Sequence, residues 1–221
     1  MLSYQHGFHA GNLADVHKHA LLAWLLTYMT AKDKPISYLE THAGRGVYDL
    51  TAPEALKTGE AAAGIARAEA LFATDHPYNR ALHATRAAHG PRAYPGSPMI
   101  AAQLLRAGHD RMTLAELHPA EHDALARAMA GQGARVYKRD GLDMAQSLCP
   151  PTPRRGVLVV DPSYEVKSDY DTLPRALGQI ARKWNVGVLV LWYPILRDGP
   201  HDALTAALRA EMPGIACFEA R

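Results

Sequence analysis

Apolar residues recur at helical spacing from Asn12 onward, at Val16, Ala20, Ala23, Trp24 and Leu26. They predict a helix that Asn12 caps and that runs to about Met29. The apolar run at 20–26 shares its segment with Asp15, Lys18 and His19. It is far short of the ~20 apolar residues needed to span a bilayer, so it reads as a buried helix face. Residues 1–10 have neither helical nor strand period and predict an ordered loop or arm. Lys34-Pro35 ends the helical unit. ISYLE (36–40) then reads as a buried strand that runs into THAGRG, a glycine-bearing turn.

Residues 48–95 change character. Alanine-rich stretches at 60–72 and 81–88 read as helices, broken by His76-Pro77 and Pro91, and no convincing strand occurs among them. The segment predicts a small helical insertion. After Pro95-Gly96-Ser97-Pro98 a helix is expected to Arg106. Strands at 112–116, 135–138, 157–161 and 187–192 then alternate with helices at 119–130, 141–148, 171–183 and 200–211, and 215–219 reads as a further strand. The pattern predicts one α/β domain over 1–221, Rossmann-like, with a mostly parallel sheet covered on both faces. Ligands of such sheets bind beyond the carboxyl ends of the strands. Residues 40–46, 116–118, 140–141, 161–164 and 192–194 therefore become the places to look for chemistry.

Composition narrows the picture without naming a partner. The chain has 221 residues, 48% hydrophobic and 21% charged, with a formal net charge of only +2. That is enough for a buried core, and the charge alone does not announce a nucleic-acid binder. Cys149 and Cys217 form no metal-ligand spacing and no disulfide framework, so reduced thiols are expected. No signal peptide is read at the start, and a cytoplasmic location is expected.

The sharpest chemical signal is Asp161-Pro162-Ser163-Tyr164, directly after VLVV. It resembles the (Asp/Asn/Ser)-Pro-Pro-(Tyr/Phe/Trp) motif of methyltransferases that act on exocyclic amines. The lone pair of an adenine amine is delocalised into the ring, so that nitrogen is a poor nucleophile. The Asp161 carboxylate and the Pro162 carbonyl can accept its two N–H groups and favour a tetrahedral nitrogen. Tyr164 can stack on an extruded base. Ser163 departs from the motif, where a second proline is usual. A plain Asp-Pro turn at a strand end is the competing reading. The glycine turn lets a cofactor approach the backbone. Its missing third glycine argues against a dinucleotide. Glu116 stands where an acid accepts ribose hydroxyls, and Asp140-Gly141 where a cofactor adenine would lie. Each alone reads equally as a helix cap; four at successive strand ends point to one site. The arm's Tyr4, His6 and His9, followed by His17, Lys18 and His19, invite a metal reading. No Cys or carboxylate completes a familiar spacing, and no metal is expected. The basic pairs Lys138-Arg139, Arg154-Arg155 and Arg182-Lys183 can touch phosphates, but they read first as solvated charge.

The opening MLSYQHGFHAGNLADVHKH, then THAGRG, TGE, YPGSP, ELHP, DG and RRGVLVVDPSYE in that order, resembles the RlmJ family over most of the chain. The resemblance implies a class I S-adenosylmethionine-dependent methyltransferase that modifies N6 of an adenine in 23S rRNA, adenine 2030; the residues do not show an oligomeric state, and a monomer is the default expectation. It implies that Lys18, His19, His42, Ser97, Glu116, Asp140 and Gly141 line the cofactor pocket together with Asp161. Asp161 would be the catalytic acceptor, while Tyr4, His6, Pro162 and Tyr164 would meet the RNA. Family members continue with a strand pair that this chain lacks or holds only in short form. A DNA adenine methyltransferase, a non-catalytic binder of S-adenosylmethionine or RNA, and a dinucleotide oxidoreductase remain as alternative readings.

Overall fold

A computed structural model describes residues 5–197 and 199–220. Helix α1 (Leu13–Thr30) leads into strand β1 (Ser37–Glu40) and the short strand β2 (Val47–Asp49). Four helices follow, α2 (Pro53–Thr58), α3 (Glu60–Ala63), α4 (Ile65–Ala68) and α5 (Pro77–His89), before β3 (Ala93–Pro95) and α6 (Ser97–Leu104). The remainder alternates: β4 (Arg111–Ala115), α7 (Pro119–Ala128), β5 (Ala134–Tyr137), α8 (Gly141–Leu148), β6 (Gly156–Val160), α9 (Asp169–Lys183), β7 (Gly187–Leu191) and α10 (Pro200–Glu211).

Five strands form one parallel sheet in the order β5-β4-β1-β6-β7. Strand β1 lies at its centre and is buried along its whole length. That burial explains why ISYLE carries no alternation. On one face Tyr38, Leu114, Val157 and Val159 pack against Leu22 and Leu26 of α1, Met99 of α6 and Leu125 of α7. On the other, Leu39, Leu158 and Val160 pack against α8, α9 and Leu204 of α10. The expected layered α/β architecture is present.

Four local expectations are corrected. Residues 47–49 and 93–95 pair as an antiparallel ribbon that closes the base of the insertion, with Tyr48 opposite Tyr94. Three residues are too few to display a period of two, and one of these strands ends in proline, so the pattern was hidden. The helix read at 60–72 is interrupted at Gly64, whose backbone meets the arm: Ile65 N–H donates to Gly11 O at 2.8 Å. A Cβ on Gly64 would sit 2.1 Å from that oxygen. Trp24, read as a core position, is 60% exposed and stacks on Tyr28. Helix α1 is apolar nearly all round, so periodicity did not single out its inner face. Residues 215–219 form no strand; they run as exposed coil, and no neighbouring edge pairs with them.

Candidate active site

The strand ends and the insertion's ribbon enclose a cavity of about 350 Å³ at the carboxyl edge of the sheet. Its floor is the turn after β1. Gly44 and Gly46 both take left-handed backbone (φ 61° and 79°), and a Cβ on Gly44 would meet the Tyr48 hydroxyl at 2.4 Å. Glycine is required at 44 on both counts. Gly96 N–H donates to Gly46 O at 2.8 Å, which docks the start of α6 onto the turn and sets Ser97 at the rim.

Glu116, beyond β4, accepts from Gly44 N–H and His118 N–H, each at 2.8 Å. Each oxygen keeps a lone pair for a ligand. Burial raises this carboxyl above its ordinary range, against the pull of those two N–H groups. Arg45 pins the turn from outside, binding Glu121 of α7 at 2.6 and 2.9 Å and Glu54 of α2 at 3.0 Å.

The opposite wall comes from α1. Asp15 is buried and accepts from Gly11 N–H and His6 Nε2, each at 2.9 Å. Lys18 Nζ lies 3.3 Å from Asp15 Oδ1 and 2.5 Å from Asp161 Oδ2. Burial opposes charge on both Asp15 and Lys18. For Asp15, nearby His6 and Lys18 outweigh it and hold the carboxyl well below its ordinary value. For Lys18, Asp161 and Asp15 outweigh it and raise the ammonium. The site therefore presents a carboxylate–ammonium–carboxylate row ending at Asp161. His19 is buried on the Tyr94 hydroxyl at 3.0 Å, and burial pushes it down to about 3, so it acts as a neutral ring. His42, at the pocket edge, is also lowered by burial, against the pull of Asp161 and Asp140.

Most residues singled out in the sequence converge on this cavity: His6, Lys18, His19, His42, Ser97, Glu116, Asp161, Pro162 and Tyr164 all line it. Asp140 and Gly141 do not line it. Asp140 caps α8 through Asp143 N–H at 2.9 Å, and Gly141 lies against Thr41 O, where a Cβ would come within 1.9 Å. Tyr4 lies outside the described residues. Periodicity overlooked Asp15, although its i, i+3 spacing to Lys18 was a signal. The basic pair Arg154-Arg155 serves structure in part, since Arg155 donates to Met29 O and Lys34 O. No group of three metal-ligating side chains occurs among the described residues, nor is any helix among them long and apolar enough to cross a membrane.

Residues 33–219 match the family model described as Ribosomal RNA large subunit methyltransferase D, RlmJ. The chain belongs to the RlmJ family. It is 41% identical over 201 residues to Ribosomal RNA large subunit methyltransferase J of Escherichia coli K12, covering 89% of this chain and 71% of that protein. It is 39% identical to the Haemophilus influenzae protein of the same name, at the same coverage. The crystal structure of protein LPL1258 from Legionella pneumophila superposes with a TM-score of 0.82 at 34% identity. That match covers 92% of this chain and 76% of the Legionella protein. The chain is therefore similar in sequence to proteins named as ribosomal RNA methyltransferases and similar in fold to the Legionella protein.

Proposed function

We propose that this member of the RlmJ family transfers a methyl group from S-adenosylmethionine to the N6 amine of an adenine in 23S rRNA, adenine 2030 by family resemblance. The observation that supports it most is the placement of Asp161 and Pro162 in one cavity with the glycine turn, Glu116 and Ser97. Glu116 retains acceptor capacity for ribose hydroxyls, and the Gly44 backbone offers the close approach a nucleoside cofactor needs. S-Adenosylmethionine bound there supplies an electrophilic methyl group. Asp161 and the Pro162 carbonyl accept the two N–H groups of the target amine and hold its lone pair toward the donor. Lys18 orients Asp161 through the contact of its ammonium with Oδ2 at 2.5 Å. As the N–C bond formed, the methyl group's bond to sulfur would break, its electron pair passing to sulfur so that S-adenosylhomocysteine leaves, and the amine's surplus proton would depart on the Asp161 side.

The test is transfer of labelled methyl to 23S rRNA fragments that lack the modification, with DNA oligonucleotides alongside. Asp161→Ala should lower transfer about 10²-fold or more, as removal of a direct transition-state contact does. Its affinity for S-adenosylhomocysteine should stay within a few-fold of wild type. Undiminished transfer would remove Asp161 from the mechanism, and transfer to DNA alone would replace the substrate class.

A further inference from the structure

We propose that Trp192 supplies an aromatic face on which the target purine stacks beside Asp161. The inference rests on the methyltransfer reading above and adds a substrate-binding residue that the DPSY motif does not contain.

Strands β6 and β7 run in register, Val160 opposite Leu191, so Asp161 and Trp192 leave the sheet side by side. Trp192 N–H donates to Val160 O at 2.9 Å and fixes the backbone at that point. Side chains alternate along a strand. Leu189 and Leu191 enter the α9 core, so Trp192 follows Val190 to the face that α1 covers. There its ring meets the edge of His17 (5.6 Å between centroids, 69°). Lys18 Nζ stands 6.0 Å from the indole centre while touching Asp161 Oδ2 at 2.5 Å. One ammonium thus joins the acceptor carboxylate and the ring. Unlike Trp184, which is buried at 1% exposure, the indole of Trp192 is only half-buried and borders the cavity.

The motif tyrosine reinforces this assignment. Tyr164 adopts φ 56°, a conformation rare for any residue but glycine. Such backbone persists where its surroundings over-determine it. Here the Tyr164 hydroxyl donates to Trp192 O at 2.8 Å, and its ring packs on Tyr170 at 4.8 Å. The Tyr164 side chain therefore tethers the Trp192 segment to the Asp161 turn, and the two aromatics border the cavity as one assembly. A flat apolar ring next to paired N–H acceptors is what an extruded purine requires.

The experiment is a fluorescence titration with adenosine monophosphate in the presence of S-adenosylhomocysteine, with affinities checked by calorimetry. The nucleotide should quench wild type. Trp192→Leu should lose the quench and bind about 5- to 150-fold more weakly, the range that stacking on one ring contributes. Trp192→Phe should bind within about threefold of wild type, as replacement of one aromatic face by another implies. Affinity for S-adenosylhomocysteine should be unchanged in both. Trp192→Met replaces Leu if that variant does not fold. Retained nucleotide affinity in the aliphatic variant overturns the proposal. So does parallel loss of S-adenosylhomocysteine binding, or no binding of the nucleotide to wild type. If wild type methylates no RNA yet the nucleotide binds through Trp192, the methyltransfer reading fails and the stacking face stands.

Discussion

Glu40 shows how much a single buried group can reveal. It ends β1, is fully buried, and accepts from Tyr38 OH at 2.7 Å and from Ser97 Oγ. Burial lifts its carboxyl from 4.5 to about 8, against the pull of those two hydrogen bonds. Between these values the folded chain keeps a proton that the unfolded chain has released. The resulting stabilisation is complete below the lower value and is lost as the pH climbs to the upper one. Glu40→Gln removes this titration. The melting temperature of the variant relative to wild type should therefore rise from about pH 5 to about pH 8. A constant difference across that window would mean that folded Glu40 is already ionised. The same proton bears on the site, because a protonated Glu40 can donate to Ser97 Oγ and leave the serine proton for a ligand.

At the scale of elements, close backbone approaches decide where helices can start. Gly141 begins α8 against Thr41, in the turn that leaves β1, and no side chain fits between them. The Asp-Gly step thus serves two purposes: Asp140 satisfies the first turn of the helix, and Gly141 lets that turn press on the strand end. Gly141→Ala should destabilise the chain by about 1–3 kcal/mol, the usual penalty for overpacking. It should also weaken S-adenosylhomocysteine binding, because the displaced strand end carries His42 and Gly44. Urea denaturation and a binding titration check both, and an unchanged midpoint would show that the turn yields freely. Gly64 repeats the theme where the arm meets the insertion. In the sequence these glycines look like ordinary breaks; their reason lies in a segment far along the chain.

Across the whole molecule, apolar side chains remain exposed at one edge of the sheet and on the outer side of α1. Strand β7 is an edge, and Val186 and Val188 are exposed there at 56% and 38%. On α1, Leu21, Trp24 and Tyr28 are exposed as well. An uncovered apolar edge favours association between chains. The unit expected from the sequence is a monomer, and this surface works against that as concentration rises. Sedimentation should show wild type associating with concentration and Val188→Lys suppressing it, with little change in melting temperature. Identical sedimentation of the two would clear this edge of any part in association.

The order of strands and helices, the strand-end positions and the Asp161 motif were legible in the sequence. They depend on hydrophobic period and local turn chemistry, which neighbouring residues carry by themselves. The carboxylate–ammonium–carboxylate row from Asp15 to Asp161 was not legible, because Lys18 and Asp161 are separated by most of the chain and only the docking of α1 onto β6 brings them together. The exposure of Trp24, the ribbon at the base of the insertion and the pairing of Trp192 with Tyr164 were likewise decided by packing. Which side of an apolar helix is buried, and which aromatic faces a cavity, are settled by what lies next to them in space.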